Sequence, residues 1–285
     1  MTYQNCSLCP RMCGVDRSAG ELGFCRCPDT AFVAKTMLHR WEEPALAGSG
    51  GSGAIFFGGC TLGCKFCQNS AISHAPTGIP MDSIQLRQEM EALIAQGAEN
   101  IDLVTPTQFL PTILPALEKP LPVPVVYNCG GYERVETLQQ LAGKVDIYLP
   151  DMKYADNALA RQLSGVGDYF PVASAAIMQM VSQVGPVQWQ GDKVTKGVVI
   201  RHLILPGYVE NSLKVLDWIG ETFAPGQVLV SLMRQYTPIG GLPAPMNRPI
   251  TDEEYEAVLS WMYLNGLEGF TQESEAADAA FIPDF

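Results

Sequence analysis

The chain has 285 residues, of which 47% are hydrophobic and 17% are charged, and its formal net charge is −12. This composition is ordinary for a globular protein with a sizeable core, and the length allows one large α/β domain or two small ones. The negative charge, without a basic patch or tail, argues against nucleic acid or an anionic membrane as a partner. No apolar run reaches the ~20 residues of a membrane helix and no signal-peptide pattern is present, so we expect a cytoplasmic protein.

The chain begins with a dense group of cysteines. Five of the nine cysteines lie here, namely Cys6, Cys9, Cys13, Cys25 and Cys27. The segment has little apolar periodicity, so we expect a metal to hold it together, bound by the first three cysteines and one of the last two. Four thiolates suit a closed zinc site or an auxiliary [4Fe–4S] cluster equally well, and unligated thiols of a reducing compartment are the third interpretation.

Residues 29–53 connect this group to the next predicted strand. The stretch from Ala31 to Met37 alternates enough to be an edge strand or ribbon. After it, His39, Glu42 and Glu43 form a polar group that is either the lip of a functional site or a solvated turn. We place the boundary between a cysteine-rich extension, residues 1–45, and the main domain, residues 46–285, in this connection.

A second cysteine motif follows a short apolar stretch. Residues 54–59 read as a buried strand that runs into a glycine-rich loop, and Cys60, Cys64 and Cys67 follow at C-x3-C-x2-C spacing. Three thiols supply three soft ligands, and the local chain offers no fourth. A four-iron cluster prefers four thiolates, so one iron would stay open to a cofactor or substrate, whereas a structural zinc site closes all four positions.

The rest of the chain alternates between strands and helices. We predict helices at residues 82–96, 112–118, 135–142, 169–184, 212–222 and 251–264, from apolar periodicity, caps and stop signals. Six strand-then-helix units begin at Ala54, Asn100, Val123, Val145, Val198 and Val228. This alternation indicates an α/β fold with a parallel sheet and right-handed crossovers, and a partial (β/α)6 TIM barrel fits it. The tail after the last helix is expected to pack across the barrel or its open edge.

Polar residues stand where the predicted strands end, which is where α/β barrels place their chemistry. They are Thr105, Thr107 and Gln108 after the second strand, Asn128 at the third, Asp151 and Lys153 at the fourth, and Arg201 and His202 within the fifth. Consecutive strand residues point to opposite faces, so only one of Arg201 and His202 is expected to enter the barrel. Cys129 is interpreted as a buried apolar residue rather than a fourth metal ligand.

The second cysteine motif resembles the signature of the radical S-adenosylmethionine (radical SAM) superfamily. The resemblance rests on Cys60, Cys64 and Cys67, on Phe66 before the third cysteine and on Gln68-Asn69 after it. The flanking residues 56–59 resemble the glycyl-radical-enzyme activases, typified by pyruvate formate-lyase activating enzyme. The N-terminal cysteines and the end of the chain, residues 282–285, are more similar to a PflX-like branch of that family.

The resemblance implies a cofactor site and a reaction. A [4Fe–4S] cluster on the three cysteines would bind SAM at its open iron, and its one-electron chemistry would come from the cofactor rather than the protein. The residues implied in cofactor binding are Phe66, Asn69, Thr105, Thr107, Asn128, Asp151, Lys153, Arg201 and His202. The family's Gly-Gly-Glu stretch is replaced here by Thr-Pro-Thr-Gln at residues 105–108, whose oxygens can still accept hydrogen bonds from an ammonium group.

Partners and substrate follow from the same resemblance. A flavodoxin or ferredoxin is expected to donate the electron, and the expected substrate is the glycine of a glycyl radical enzyme. One alternative keeps the radical chemistry and acts on a small molecule or peptide. Another is a protein without catalytic activity, in which both cysteine groups relay electrons or support structure.

Overall fold

The structure is a computed structural model of the full chain, and it describes residues 1–238, 241–272 and 285. In chain order, its strands are β1 (Ala31–His39), β2 (Ser52–Phe57), β3 (Ile79–Met81), β4 (Asn100–Val104), β5 (Val125–Cys129), β6 (Ile147–Pro150), β7 (Gln188–Gln190), β8 (Lys193–Leu203), β9 (Leu229–Met233) and β10 (Gly269–Thr271).

The helices lie between these strands. They are α1 (Pro44–Ala47), α2 (Ser70–Ser73), α3 (Ser83–Ala95), α4 (Leu110–Ala116), α5 (Val135–Gln139), α6 (Asn157–Ser164), α7 (Tyr169–Val184), α8 (Val209–Thr222) and α9 (Asp252–Leu264), with short 3-10 turns at Arg17–Ala19 and Thr107–Phe109. Capping boxes begin α3, at Asp82 and Gln85, and α9, at Thr251 and Glu254. No helix of the described residues has the length and apolar character needed to cross a bilayer.

The sheet has the order β10-β9-β8-β6-β5-β4-β2-β1-β3, and β7 pairs with β8 outside this path. Every pair from β2 to β10 along the path is parallel, whereas β1 pairs antiparallel with β2 and β3. The parallel part contains the six predicted strands in their predicted sequence order. The prediction of a partial (β/α)6 barrel is therefore confirmed, and β10 adds a seventh parallel strand that the sequence reading did not include.

Two of the three apolar clusters of the described residues pack against the two faces of the parallel strands. The larger one lies between the strands and the helices, where residues such as Leu86, Leu103 and Val230 are almost completely inaccessible. The smaller one lines the opposite face of the sheet, where Leu46 of α1 packs against Val126 of β5 and its neighbours. Strand residues in register share that interior face, and Asp102 of β4 lies between Ala54 of β2 and Val126. A carboxyl group is thus placed among apolar side chains inside the barrel.

The N-terminal segment (residues 1–30) is fastened to the barrel by hydrogen bonds. Arg11 donates to the carbonyl oxygens of Thr61 and Leu62, at 3.1 Å each, and to two carbonyl oxygens at the end of α6. Arg17 is buried and donates to the carbonyl oxygen of Gln108 at 2.6 Å. On another side, Thr137 donates to the carbonyl oxygen of Leu8 at 2.8 Å. The segment therefore covers the end of the barrel at which the chain leaves β2 and β4.

Candidate active site

Three cysteines of one loop line a cavity at the carboxyl ends of the parallel strands. The cysteine loop (residues 60–67) leaves β2, and Cys60, Cys64 and Cys67 all contribute to the lining. Gly63 in this loop has φ +69°, and Gly59 before it has φ +75°. A side chain at Gly59 would also collide with the sulfur of Cys27, so both the backbone conformation and the close approach require glycine.

Each of the three sulfurs accepts a hydrogen bond. The N–H of Leu62 donates to Cys60 Sγ at 3.4 Å, and the hydroxyl of Ser73 donates to Cys67 Sγ at 3.4 Å. The hydroxyl of Ser164, at the end of α6, donates to Cys64 Sγ at 3.1 Å. Such donors stabilise sulfur as a thiolate and tune a bound iron–sulfur cluster.

The charge state of these thiols depends on what they bind. Burial raises the pKa of the Cys64 thiol to about 12, and it raises the pKa of Cys60 as well. The ammonium group of Lys153 opposes this increase in both cases. Thiols whose pKa values are raised in this way stay protonated at neutral pH unless a cation replaces the proton. The loop therefore has the properties of a metal site: buried sulfur, sulfur hydrogen bonds and a neighbouring positive charge.

A fourth cysteine reaches the cavity from a different element. Cys129 ends β5, lines the cavity and is 2% exposed. Its thiol lies within hydrogen-bonding reach of the Glu133 carboxyl group, and burial raises the pKa of the thiol well above its ordinary value. Cys129 thus differs from the three cysteines of the loop in its position at a strand end and in its carboxyl neighbour. The interpretation of Cys129 as a buried residue outside the ligand set agrees with this geometry.

Charged side chains face the cysteines across the cavity. Lys153 Nζ lies 2.5 Å from Asp151 Oδ2, and Arg201 Nε donates to Asp151 Oδ1 at 2.9 Å. Arg201 also donates to Asn128 Oδ1 at 2.7 Å. Burial alone would raise the pKa of Asp151, but Arg201 and Lys153 together hold it below its ordinary value. The two cations and one carboxylate leave net positive charge on this wall, which suits a ligand with a carboxylate group.

The remaining walls are aromatic and polar. Phe66 is buried beside Tyr236 and Tyr154, with ring centroids 6.3 Å and 6.5 Å away. Asn69 and Thr105 also contribute to the lining. The buried Oδ1 of Asn69 has no hydrogen-bond partner among the described residues, and Thr105 has the unusual φ of +59°. One side-chain oxygen of the cavity lining is thus left without a hydrogen bond from the described part of the chain.

Two of the predicted cofactor residues lie elsewhere. His202 is completely buried on the helix side of β8, where its ring nitrogens bond to the carbonyl oxygen of Met152 at 2.6 Å and to Ser212 Oγ at 2.8 Å. Burial lowers the pKa of His202 to about 4, so the ring is neutral. Thr107 turns away from the cavity and donates to Glu133 at 2.7 Å. The structure does not bring these two side chains to the cavity, because strand alternation and the 3-10 turn after β4 direct them outward.

The structure also adds lining residues that the sequence reading missed. Gln235, Tyr236 and Thr237 follow β9 and complete one wall. The signal for them was present, since a polar stretch follows the sixth predicted strand as it follows the others.

The N-terminal cysteines are in different environments. Cys13 is exposed, Cys25 is half-buried and Cys27 is fully buried with its thiol directed at the carbonyl oxygens of Cys25 and Gly58. Cys6 lies 4.0 Å from the guanidinium group of Arg17. In the described part of the chain, no group of three or more His, Cys, Asp or Glu side chains is arranged to hold a single metal ion. The thiolates of a four-iron cluster bind different irons and stand farther apart than the ligands of a single ion.

The chain is similar in sequence to a protein of Methanocaldococcus jannaschii. It is 32% identical over 269 residues to the uncharacterized protein MJ0674 of Methanocaldococcus jannaschii, and the match covers 90% of this chain and 74% of the relative. The chain belongs to the MJ0674 family. No protein-family model matches it.

The fold is similar to that of several solved structures. The MJ0674-family chain superimposes on the Streptococcus suis enzyme SuiB with a TM-score of 0.54 at 15% identity, covering 78% of this chain and 48% of SuiB. For a radical SAM methyltransferase from Sphaerobacter thermophilus, the TM-score is 0.54 at 15% identity, and the match covers 77% of this chain and 65% of the methyltransferase. For methylornithine synthase (PylB), the TM-score is 0.50 at 19% identity, and the match covers 76% of this chain and 65% of PylB. The chain spans about half of SuiB and less than two thirds of the other two, and it has the fold of these proteins.

Proposed function

We propose that this protein is a radical SAM enzyme that binds a [4Fe–4S] cluster on Cys60, Cys64 and Cys67 and SAM in the adjoining cavity. The observation that carries the proposal is the placement of the three-cysteine loop at the strand ends, opposite a wall of charged groups. When bound, the cluster and SAM supply a one-electron reductive cleavage that yields methionine and a carbon radical able to remove hydrogen from a substrate.

The chain's own residues bind and orient the cofactor. Arg201 and Lys153 present positive charge to the carboxylate of the methionine part, and Asp151 keeps both cations in place. The unpartnered oxygen of Asn69 would accept a hydrogen bond from the bound cofactor. Phe66 offers a ring face to the adenine, and Tyr154 and Tyr236 keep that ring in position. Positioning of the reacting atoms is where the protein contributes most to radical chemistry of this kind.

Cleavage of SAM tests the proposal. The protein is purified and reconstituted with iron and sulfide without oxygen, reduced, mixed with SAM and analysed for 5′-deoxyadenosine and methionine. We expect both products, dependent on the reductant. Intact SAM, from protein that shows the absorbance of a four-iron cluster, would contradict the enzyme proposal and favour a role in electron relay or structure.

For the substrate, we propose the glycine of a glycyl radical enzyme, which the activase-like flanks of the cysteine motif favour. The second candidate is a small molecule or peptide. One fold neighbour, SuiB, was solved bound to its precursor peptide SuiA, which supports a peptide as the second candidate. Mixing the reduced protein with candidate partners and recording electron paramagnetic resonance spectra separates the two. A glycyl-radical doublet supports the first, and deoxyadenosine release that depends on a peptide or metabolite, without a doublet, supports the second.

We further propose that a low-potential carrier of the flavodoxin or ferredoxin type delivers the electron, since iron–sulfur clusters of this class have low potentials. For the N-terminal cysteines, we propose an auxiliary iron–sulfur cluster, because four thiolates are the usual ligand set of such a cluster. Metal analysis of anaerobic protein decides this point. About eight irons per chain and no zinc support two clusters, whereas four irons and one zinc would overturn the auxiliary cluster.

A further inference from the structure

A group of acidic side chains lies inside the barrel beneath the cavity, and none of the roles proposed above uses it. Asp102 of β4 is 1% exposed, and Glu42 and Glu43 reach the same interior from the connection between β1 and α1. Arg201 interacts electrostatically with all three. Glu43 already has a hydrogen-bond partner of its own, because it accepts from the hydroxyl of Ser231 in β9.

Asp102 and Glu42 face each other directly. Their carboxyl groups lie within hydrogen-bonding reach, and Asp102 Oδ1 has no donor partner among the described residues. The other oxygen, Oδ2, accepts from the amide of Asn128 at 3.3 Å. Two carboxylates offer only acceptors to each other, so a contact between them is favourable only when a proton lies between the two oxygens.

The surroundings favour one shared proton over two negative charges. Burial raises the pKa of Asp102 well above its ordinary value, and the charge of Glu42 adds to the increase, while Arg201 opposes it. Burial also raises the pKa of Glu43, to about 7. His39 of β1 faces Glu42 and Arg201 as well, but burial lowers its pKa, so it adds no positive charge at neutral pH. Arg201 already pairs with Asp151 and cannot neutralise a second ionised pair.

The pair is connected to the cavity in two ways. Glu42 Oε1 lies 3.9 Å from Arg201 Nη1. Asn128 bridges the two sides, because its NH₂ donates to Asp102 while its oxygen accepts from Arg201 at 2.7 Å. Both Asn128 and Arg201 line the cavity. The amide orientation of Asn128 and the position of the guanidinium group therefore depend on the carboxyl pair below them.

We propose that Asp102 and Glu42 are positioning residues: they share one proton, and this shared proton keeps Arg201 directed toward the cavity. When the proton leaves, the pair carries two negative charges instead of one. Arg201 is then drawn toward Glu42, and the wall above loses positive charge. Because the pKa of Asp102 is raised, the pair is protonated at lower pH, and the ligand carboxylate is bound more weakly as the pH increases. The effect on SAM rests on the proposed function, whereas the shared proton does not.

The first experiment detects the proton without any cofactor. Infrared spectra of the purified protein are recorded at about pH 8.5, above the pKa of about 7 of Glu43 and of the buried Glu133, so that these two are ionised. We expect a band of a neutral carboxyl group that disappears in Asp102→Asn and in Glu42→Gln but persists in Glu43→Gln. Persistence of the band in both pair variants, or its absence from the wild type, would overturn the proposal.

The second experiment measures what the pair does for binding. The affinity of the cluster-loaded protein for SAM is measured across the pH range in which all three proteins stay folded, for the wild type, Asp102→Asn and the control Glu43→Gln. The titration of SAM itself is common to all three proteins, so the difference between the profiles is the result. We expect the wild type and the control to lose about fivefold or more in affinity relative to Asp102→Asn, whose amide preserves the hydrogen bond to Glu42 without a titrating proton.

The outcomes separate the two proposals. Superimposable profiles for the wild type and Asp102→Asn would overturn the positioning role. A flat profile in Glu43→Gln alone would assign the pH dependence to Glu43 and overturn it too. Wild-type protein that binds no SAM at any pH would contradict the proposed function, while the infrared band would still decide the shared proton. Should Asp102→Asn not fold, Glu42→Gln serves in its place for both measurements.

Discussion

The two cysteine groups of this protein have their geometry set by different means. The cysteine loop leaves a buried strand, and its three sulfurs accept hydrogen bonds from Leu62, Ser73 and Ser164. The N-terminal segment contains no strand and only one 3-10 turn among its described residues, and its five cysteines range from buried to exposed. One group is positioned by the barrel, whereas the other is positioned by a few contacts to the barrel.

The difference indicates where a metal matters for folding. In the cysteine loop, sheet pairing and apolar burial fix the backbone before any metal is bound, so loss of the metal should affect chemistry more than stability. The N-terminal segment buries few apolar side chains, Leu8 among them, and depends on Arg11, Arg17 and any metal it holds. Substitutions in the cysteine loop should therefore lower activity more than stability, whereas substitutions in the N-terminal segment should lower stability.

The largest expected effect is on activity, from Cys64→Ala in the cysteine loop. The variant removes one of three protein ligands of the proposed barrel cluster, together with the hydrogen bond from Ser164. We expect deoxyadenosine formation to fall below detection, with near-native far-ultraviolet circular dichroism. Product analysis and iron content on the same anaerobic sample measure both effects.

The control for this variant is Cys129→Ser, which changes a cysteine of the same cavity that is directed at Glu133. Its iron content should match that of the wild type. Equal iron loss in both variants would mean that Cys129 is a ligand and that the assignment of the three-cysteine loop is incomplete.

The barrel and its cysteine loop could be predicted well from the sequence, because they depend on patterns between residues close together in the chain. The six strands and the helices from α3 to α9 follow from periodicity and caps, with the exception of α6, whose Asp156 cap was overlooked. The C-x3-C-x2-C spacing predicted one loop with three sulfurs. Polar residues at strand ends predicted the cavity wall of Asn128, Asp151, Lys153 and Arg201.

What could not be predicted depends on contacts between distant parts of the chain. Nothing local in the sequence indicates that Arg17 reaches the carbonyl oxygen of Gln108 or that Glu42 meets Asp102 inside the barrel. Strand alternation left the choice between Arg201 and His202 open, and the structure resolves it, because Arg201 lines the cavity while His202 contacts Ser212 of α8. The part of the tail from residue 273 to 284 lies outside the described residues, so the expectation about its packing stays a prediction.

The largest expected effect on stability comes from Arg17→Ala in the N-terminal segment. The side chain is 2% exposed, donates to the carbonyl oxygens of Pro28 and Gln108, and lies over the rings of Tyr3 and Phe109. Its removal leaves buried carbonyl groups without donors and a cavity, which should cost about 3 kcal/mol. Denaturant titration of the apo protein, with limited proteolysis to locate the opening, measures this cost.

The matched control is Arg26→Ala, which removes an exposed arginine from the same segment. A change within about 0.5 kcal/mol is expected for it. If the two variants lose the same stability, the anchoring role of Arg17 is wrong and the segment is held by other means.

The smallest expected effect comes from Arg11→Ala, the contact that joins the two cysteine groups. The guanidinium group donates to four carbonyl oxygens, of residues 61, 62, 164 and 165, at 3.1–3.2 Å, and it stacks on Phe24 at 3.6 Å. Because it is partly exposed, water can replace these contacts, and we expect a loss of about 1 kcal/mol with faster proteolysis of residues 1–30. Arg11→Lys preserves the charge but not the planar fork, so it should resemble Arg11→Ala. A lysine variant that behaves like the wild type would show that charge, rather than the geometry of the fork, joins the segment to the cysteine loop.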